Sequence, residues 1–277
     1  MSDCGIVFGA TGKSYRNLAR RAARNVRQVM PHIPIDLFTD APLSDPIFDR
    51  VHLLDDPNRR PKMDALRLSR FDRTLYLDCD AVMVNDVSDV FELLRRADLV
   101  GAHEQFGSSP VSMQSLDYPL PPAFRQINSG VLGVRKSAAT DAFLQRWKAE
   151  FLRRRLQYDQ PLLRQLLFES DLHLTVLPME YNLMHAPFIR AASPLMMAPR
   201  ILHIPRLHES DVHDADVERP FNPAELLAAP VRDRFNALLK TDRTLGAKPG
   251  LRALSGETLR KVPFLYRMAR RLRRTLN

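Results

Sequence analysis

The run Thr74-Leu75-Tyr76-Leu77-Asp78-Cys79-Asp80-Ala81-Val82 constrains this chain more than any other segment. An apolar, aromatic stretch that reads as a buried strand ends abruptly on two carboxylates one residue apart. Burying unpaired acids is costly, so such an ending needs a compensating partner. A divalent cation between Asp78 and Asp80 would supply one, at the carboxyl end of a strand, where open α/β sheets bind ligands. A solvated strand-to-loop boundary is the alternative reading of an isolated D-x-D.

The flanking pattern says what kind of sheet holds that strand. Cys4–Phe8 reads as a first strand, followed by the polar turn Gly9-Ala10-Thr11-Gly12-Lys13-Ser14 and a helix over 15–30 that Pro31 ends. Leu18, Ala22, Val26 and Val29 share one helical face, with Arg16, Arg20, Arg24 and Arg27 on another. Strands are expected at 35–39, 51–54, 74–77, 99–102, 131–134, 172–177 and 201–204. Helices are expected at 62–69, 87–97, 140–156, 160–169 and 222–240. This alternation predicts an α/β fold with a mostly parallel sheet flanked by helices. Residues 104–122 are rich in Gly, Ser and Pro and read as a long loop of the kind that carries function.

The 277 residues carry a net charge of +9, unevenly spread. Residues 252–277 hold eight Lys/Arg and one acid, +7 in all, which leaves +2 for everything before them. A high isoelectric point therefore reflects the tail, and no nucleic-acid partner is expected. Within the tail, Val262, Leu265, Met268, Ala269, Leu272 and Leu276 fall on one helical arc, with arginines on the rest. A basic amphipathic helix over 260–277 suits an anionic membrane surface. No apolar run approaches the ~18 residues of a membrane span, and no signal-peptide pattern opens the chain. A cytoplasmic protein, peripheral at the inner face of the membrane, is the expectation. Cys4 and Cys79 fit a reducing compartment; if their strands are parallel neighbours, the thiols are too far apart to bridge.

Further segments stand in a telling order around the acidic pair: Lys62, Asn128-Ser129-Gly130-Val131, Asp159-Gln160, Tyr181-Asn182 and Ile201-Leu202-His203. Together they resemble the nucleotide-sugar glycosyltransferases of the GT-A (Rossmann-like) fold. The likeness is nearest to family eight, the glycogenin-like enzymes and bacterial lipopolysaccharide galactosyl- and glucosyltransferases. The resemblance covers roughly residues 4–205. It implies a transferase domain over 1–210 and leaves 211–277 as a helical, basic C-terminal extension.

The resemblance implies that Asp78, Asp80 and His203 hold a divalent metal, the imidazole tilting the choice toward manganese over magnesium. A histidine satisfied within the core is the alternative for His203. Lys62 would neutralise diphosphate charge, or else be a surface lysine. Thr11 would hydrogen-bond the edge of a base and Tyr15 stack on it, or Tyr15 would simply pack at a helix start. Asn128 and Ser129, with the pair Asp159-Gln160, would reach the donor sugar and its anomeric region as substrate-binding and catalytic groups. Asp159 is also a favoured N-cap residue, and Tyr181 and Asn182 read as structural. Family members follow the metal histidine with a glycine and a lysine that clamps the diphosphate. Here Ile204-Pro205-Arg206-Leu207-His208-Glu209 follows, so Arg206 is the expected substitute.

The implied reaction moves a hexose from a UDP-sugar to a hydroxyl of a saccharide or lipid-linked acceptor, with retention of configuration. Two other readings stand beside it. Asp78-x-Asp80 also fits a haloacid-dehalogenase-like phosphatase, though there the motif opens the domain and a later acidic motif completes it. A non-catalytic sugar-nucleotide-binding protein is the other.

Overall fold

The computed structural model describes residues 3–57, 60–193, 196–209 and 216–242. Its elements run β1 (Cys4–Ala10), α1 (Lys13–Val29), β2 (Ile35–Thr39), β3 (Arg50–Leu53), α2 (Lys62–Leu68), β4 (Arg73–Leu77), β5 (Ala81–Met83), α3 (Asp89–Leu93), β6 (Leu99–His103) and α4 (Pro110–Met113). They continue with β7 (Ile127–Arg135), α5 (Ala138–Arg153), α6 (Gln160–Glu169), β8 (Leu174–Leu177), α7 (Ala186–Ala191), β9 (Ile201–His203) and α8 (Ala229–Lys240). Two 3-10 turns, Met179–Asn182 and Pro205–Glu209, flank α7 and β9.

Seven strands form one sheet in the order β3-β2-β1-β4-β7-β6-β8. All are parallel except β7, which runs against both β4 and β6. Side chains alternate across the sheet, and two apolar cores result. Ile6 and Phe8 of β1 join α1, α3 and α8 in one core. Val7 and Tyr76 join Trp147 of α5, Leu162 and Leu166 of α6 and Met63 of α2 in the other. The result is the three-layer, mostly parallel α/β sheet that the alternation predicts. The resemblance's GT-A fold is borne out in this order of strands with a single reversed member.

Several boundaries differ from the sequence reading for local reasons. β7 begins at Ile127 rather than at 131, so Asn128, Ser129 and Gly130 are strand residues. Their polar side chains are satisfied internally, which is why hydropathy hides them. The last helix begins at Ala229 rather than at 222, because Pro230 cannot donate to the carbonyl four residues back. Chain contacts divide the protein into Met1–Lys240 and Thr241–Asn277. α8 thus belongs to the first unit, where Phe235 and Leu238 are core residues. The basic stretch 260–277 lies outside the described residues. Cys4 and Cys79 are free thiols, and β1 and β4 are indeed parallel neighbours.

Candidate active site at the end of the fourth strand

β4 delivers Asp78 at its carboxyl end, where the Asp78 amide donates to the Gly130 carbonyl of β7 at 2.8 Å. A tight turn, with the Ala81 amide on the Asp78 carbonyl at 2.9 Å, sends the chain into β5. This three-residue strand pairs antiparallel with β9 and sets Ala81 opposite His203. A ladder of three pairs is too short to leave a periodic signal in sequence. It nonetheless joins two segments that are distant in the chain, Ala81–Met83 and Ile201–His203. Ligand atoms of Asp78, Asp80 and His203 therefore converge within 4.8 Å of one another.

Gly130 makes room for that meeting. A Cβ there would lie 2.2 Å from His203 Cε1 and 3.0 Å from Asp78 Oδ2. Asp80 is fully buried, yet neither of its carboxylate oxygens accepts a hydrogen bond. Nε2 of His203 and Nε2 of His208 approach Asp80 Oδ2 at 3.3 and 2.8 Å without aligning for one. Burial alone would push the Asp80 carboxyl up, but the two imidazoles outweigh it and hold the group well below the ordinary carboxylate range. For His203, burial opposes protonation and the Asp80 charge more than offsets it. A buried carboxylate facing two imidazole nitrogens and a second carboxylate fits a divalent cation.

The imidazole is held from behind. His203 Nδ1 meets Asn182 Oδ1 at 2.9 Å, which leaves Nε2 toward the carboxylates. Asn182 Nδ2 donates to Asn128 Oδ1 at 2.9 Å, and Asn128 Nδ2 donates to Glu104 Oε2 at 2.8 Å. Asn182 thus acts as the sequence suggested, structurally. The amide of Asn128 is committed to protein partners, Gly130 N included.

Lys62 is no surface residue. Its side chain is 3% exposed, and the ammonium donates to Ser129 Oγ at 2.9 Å and to the Ser129 carbonyl at 3.2 Å. It stands 3.2 Å from Asp78 Oδ1 and 3.6 Å from Asp159 Oδ2. Burial works against its charge, but Asp159 and Asp78 outweigh burial and raise its pKa. Asp159 precedes α6 in helical conformation and makes no cap hydrogen bond; its Oδ2 accepts Ser129 Oγ at 2.8 Å instead. The capping alternative is thereby set aside. Gln160 Oε1 accepts the Ser129 amide at 3.3 Å. The Tyr76 hydroxyl donates to Asp78 Oδ1 at 2.7 Å, completing the polar floor.

Two cavities open on this floor and share Arg60, Lys62 and Asp78. The smaller, about 280 Å³, is bounded by Thr11, Tyr15, Tyr76 and His208. Tyr15 stands partly exposed on its rim, with its ring 5.0 Å from that of His208. The larger, about 740 Å³, takes in Asn128, Ser129, Asp159 and Gln160. The 104–122 segment, read as a loop, walls this chamber and contains the short helix α4, capped by Ser109.

Arg206 is the exception among the expected residues. It lines neither chamber, and its guanidinium donates to the Leu226 carbonyl. His208, two residues on in the same 3-10 turn, lines the smaller chamber instead. The sequence reading passed over His208 because alternation within a 3-10 turn is not predictable from hydropathy. It also passed over Glu104, Gln126 and His185 in the larger chamber. Gln126 Nε2 and His185 Nε2 there are buried without a hydrogen-bond partner, which suits a hydroxylated ligand.

A nucleotide-diphospho-sugar transferase family model matches residues 72–198, a span that holds both the acidic pair and Asp159-Gln160. No curated protein matches the sequence. Among solved structures, the galactosyltransferase LgtC, crystallised with donor and acceptor sugar analogs, superposes with a TM-score of 0.54 at 16% identity. That likeness covers 87% of this chain and 96% of LgtC. The glycosyltransferase GlyE of Streptococcus pneumoniae TIGR4 gives a TM-score of 0.57 at 17% identity over 88% of this chain, which spans 62% of GlyE. Identities this low speak for a shared fold. With the family match and the strand order, they make this chain a GT-A-fold protein similar to the nucleotide-diphospho-sugar transferases of family eight.

Proposed function

We propose that this protein is a metal-dependent glycosyltransferase that moves a hexose from a UDP-sugar to an acceptor hydroxyl of a saccharide or lipid-linked saccharide, with retention. The observation that carries the reading is the buried Asp80 carboxylate converging with Asp78 and His203, where Asp78 lines both chambers. Asp78, Asp80 and His203 would hold the divalent cation, manganese before magnesium. Such an ion supplies charge stabilisation for the departing diphosphate.

The rest of the work falls to the chain's own groups. Tyr15 and Thr11 border the smaller chamber, which suits a base held by stacking and an edge hydrogen bond. Lys62 lines both chambers and would set a fixed cation beside the bond that must break. Asp159 and Gln160, anchored by Ser129, face the larger chamber. An anchored carboxylate there would stabilise positive charge developing at the anomeric carbon. Among the described residues none stands out as a covalent nucleophile, which favours a route without a glycosyl-enzyme. The basic stretch 260–277 would dock the enzyme on an anionic membrane carrying the acceptor.

The test is a thermal-shift screen of nucleotide sugars with and without manganese, followed by UDP-sugar hydrolysis without acceptor. Manganese-dependent stabilisation by UDP-sugars with slow UDP release supports the reading. Stabilisation with no UDP release under any acceptor supports the non-catalytic binding protein, and neither response overturns both. NMR of the new linkage decides retention. Sedimentation with anionic vesicles, with and without residues 260–277, decides docking.

A further inference from the structure

The cluster around Asp80 contains one group that the family resemblance does not assign. His208 lies five residues after His203, on the 3-10 turn Pro205–Glu209. Its Nε2 is 2.8 Å from Asp80 Oδ2, closer than the 3.3 Å of His203 Nε2 to the same oxygen. In an octahedral shell with bonds of ~2.1 Å, adjacent ligand atoms stand ~3.0 Å apart. Both imidazole nitrogens therefore flank Asp80 Oδ2 at the spacing of neighbouring ligands. Neither is aligned to donate to it, as the donor-less oxygen shows.

We infer that His208 is a fourth protein ligand of the cation, so that the site is built from two carboxylates and two imidazoles. This rests on the proposed metal-dependent reading and adds a residue and a selectivity to it. Asp78, Asp80 and His203 form the converging triangle, and His208 borders it at the Asp80 corner, on the side of the smaller chamber. Its ring is packed at 5.0 Å from that of Tyr15, which limits its swing. Asp80 is fixed in turn by the Ile204 amide on its carbonyl at 3.0 Å, so β9 and the turn that follows it move with the acidic pair. A second nitrogen ligand strengthens binding of manganese, cobalt and zinc far more than of magnesium, whose preference is for oxygen. The consequence is a site selective for transition ions, with fewer positions left for water or phosphate oxygens.

The experiment measures cation binding by the full chain without nucleotide sugar, so that it does not depend on transfer activity. Calorimetry with manganese and with magnesium, and the visible absorption of the cobalt-loaded protein, are compared for wild type, His208→Ala, His208→Gln and His208→Cys. The alanine and glutamine variants are expected to lose manganese affinity by ten-fold or more, to change magnesium affinity by less than three-fold, and to alter the cobalt spectrum. The cysteine variant is expected to gain a thiolate-to-cobalt charge-transfer band absent from wild type. Unchanged manganese affinity with an unchanged cobalt spectrum in all three variants overturns the inference. If wild type binds no divalent ion and Asp80→Asn behaves identically, the metal-dependent reading itself fails, which is a separate outcome.

Discussion

Gly130→Ala probes the steric logic of the site with a single methyl group. The backbone at Gly130 is extended strand, and among the described residues only Gly12 is a glycine with positive φ. Alanine is therefore conformationally allowed and should gain ~0.4–1 kcal/mol by restricting the unfolded chain. Against this stand the contacts its Cβ would make, 2.2 Å to His203 Cε1, 2.7 Å to His203 Nδ1 and 3.0 Å to Asp78 Oδ2. Overpacking of this kind costs ~1–3 kcal/mol, so the net loss is about 1–2 kcal/mol. For a unit of about this size that is a fall of ~2–8 °C in Tm. The His203 ring is 5% exposed and tied to Asn182, so relief comes by breaking that hydrogen bond and turning Nε2 away. Manganese affinity should then drop at least about ten-fold, or ~1.4 kcal/mol. Gly133→Ala on the same strand is the control. Its Cβ would meet Val100 Cγ2 at 2.5 Å and Leu94 Cδ1 at 3.1 Å, a purely apolar clash that involves none of the acids or His203. It should lower Tm similarly and leave manganese binding intact. Scanning fluorimetry and calorimetry on both variants settle the matter, and Gly130→Ala binding manganese with wild-type affinity would refute the reasoning.

Asn182→Ala removes the acceptor that orients His203 Nδ1 and should weaken manganese binding ~10–100-fold, with calorimetry as the readout. Tyr15→Ala, at a position 45% exposed, should cost ~1–3 kcal/mol of UDP affinity with Tm unchanged. A fall in Tm with intact UDP binding would mean that Tyr15 only packs. Asp45 is buried against Arg20 at 2.5 Å and Arg24 at 3.0 Å, and these arginines outweigh burial to lower its pKa. Its stabilising contribution is present above the unfolded value of ~3.9 and is lost as pH falls through the lower folded value. Urea titrations from pH 6 to pH 2.5 should show a shallower acid loss in Asp45→Asn than in wild type. Parallel slopes would exclude that role.

The sequence by itself determined the layers and the sheet edge that carries the acidic pair. Apolar runs such as Ile6–Phe8 and Leu75–Leu77, spaced by amphipathic helices, dictate a parallel core, and an acidic pair closing such a run marks the ligand-binding edge. Asp78 and Asp80 stood out because they close an apolar run, whereas Lys62, Asp159 and Gln160 came into view only through the family resemblance. What hydropathy cannot carry was left to the tertiary structure. The reversal of β7, the three-pair β5–β9 ladder and the polar start of β7 all depend on partners distant in the chain. So does the fate of two side chains of one turn. Arg206 turns to the Leu226 carbonyl while His208 turns to Asp80, a choice made by the direction of a single 3-10 turn. Local periodicity specifies which face of an element is apolar. Only long-range packing decides which polar side chain reaches a shared point, because that depends on angles and distances between elements that no single segment encodes.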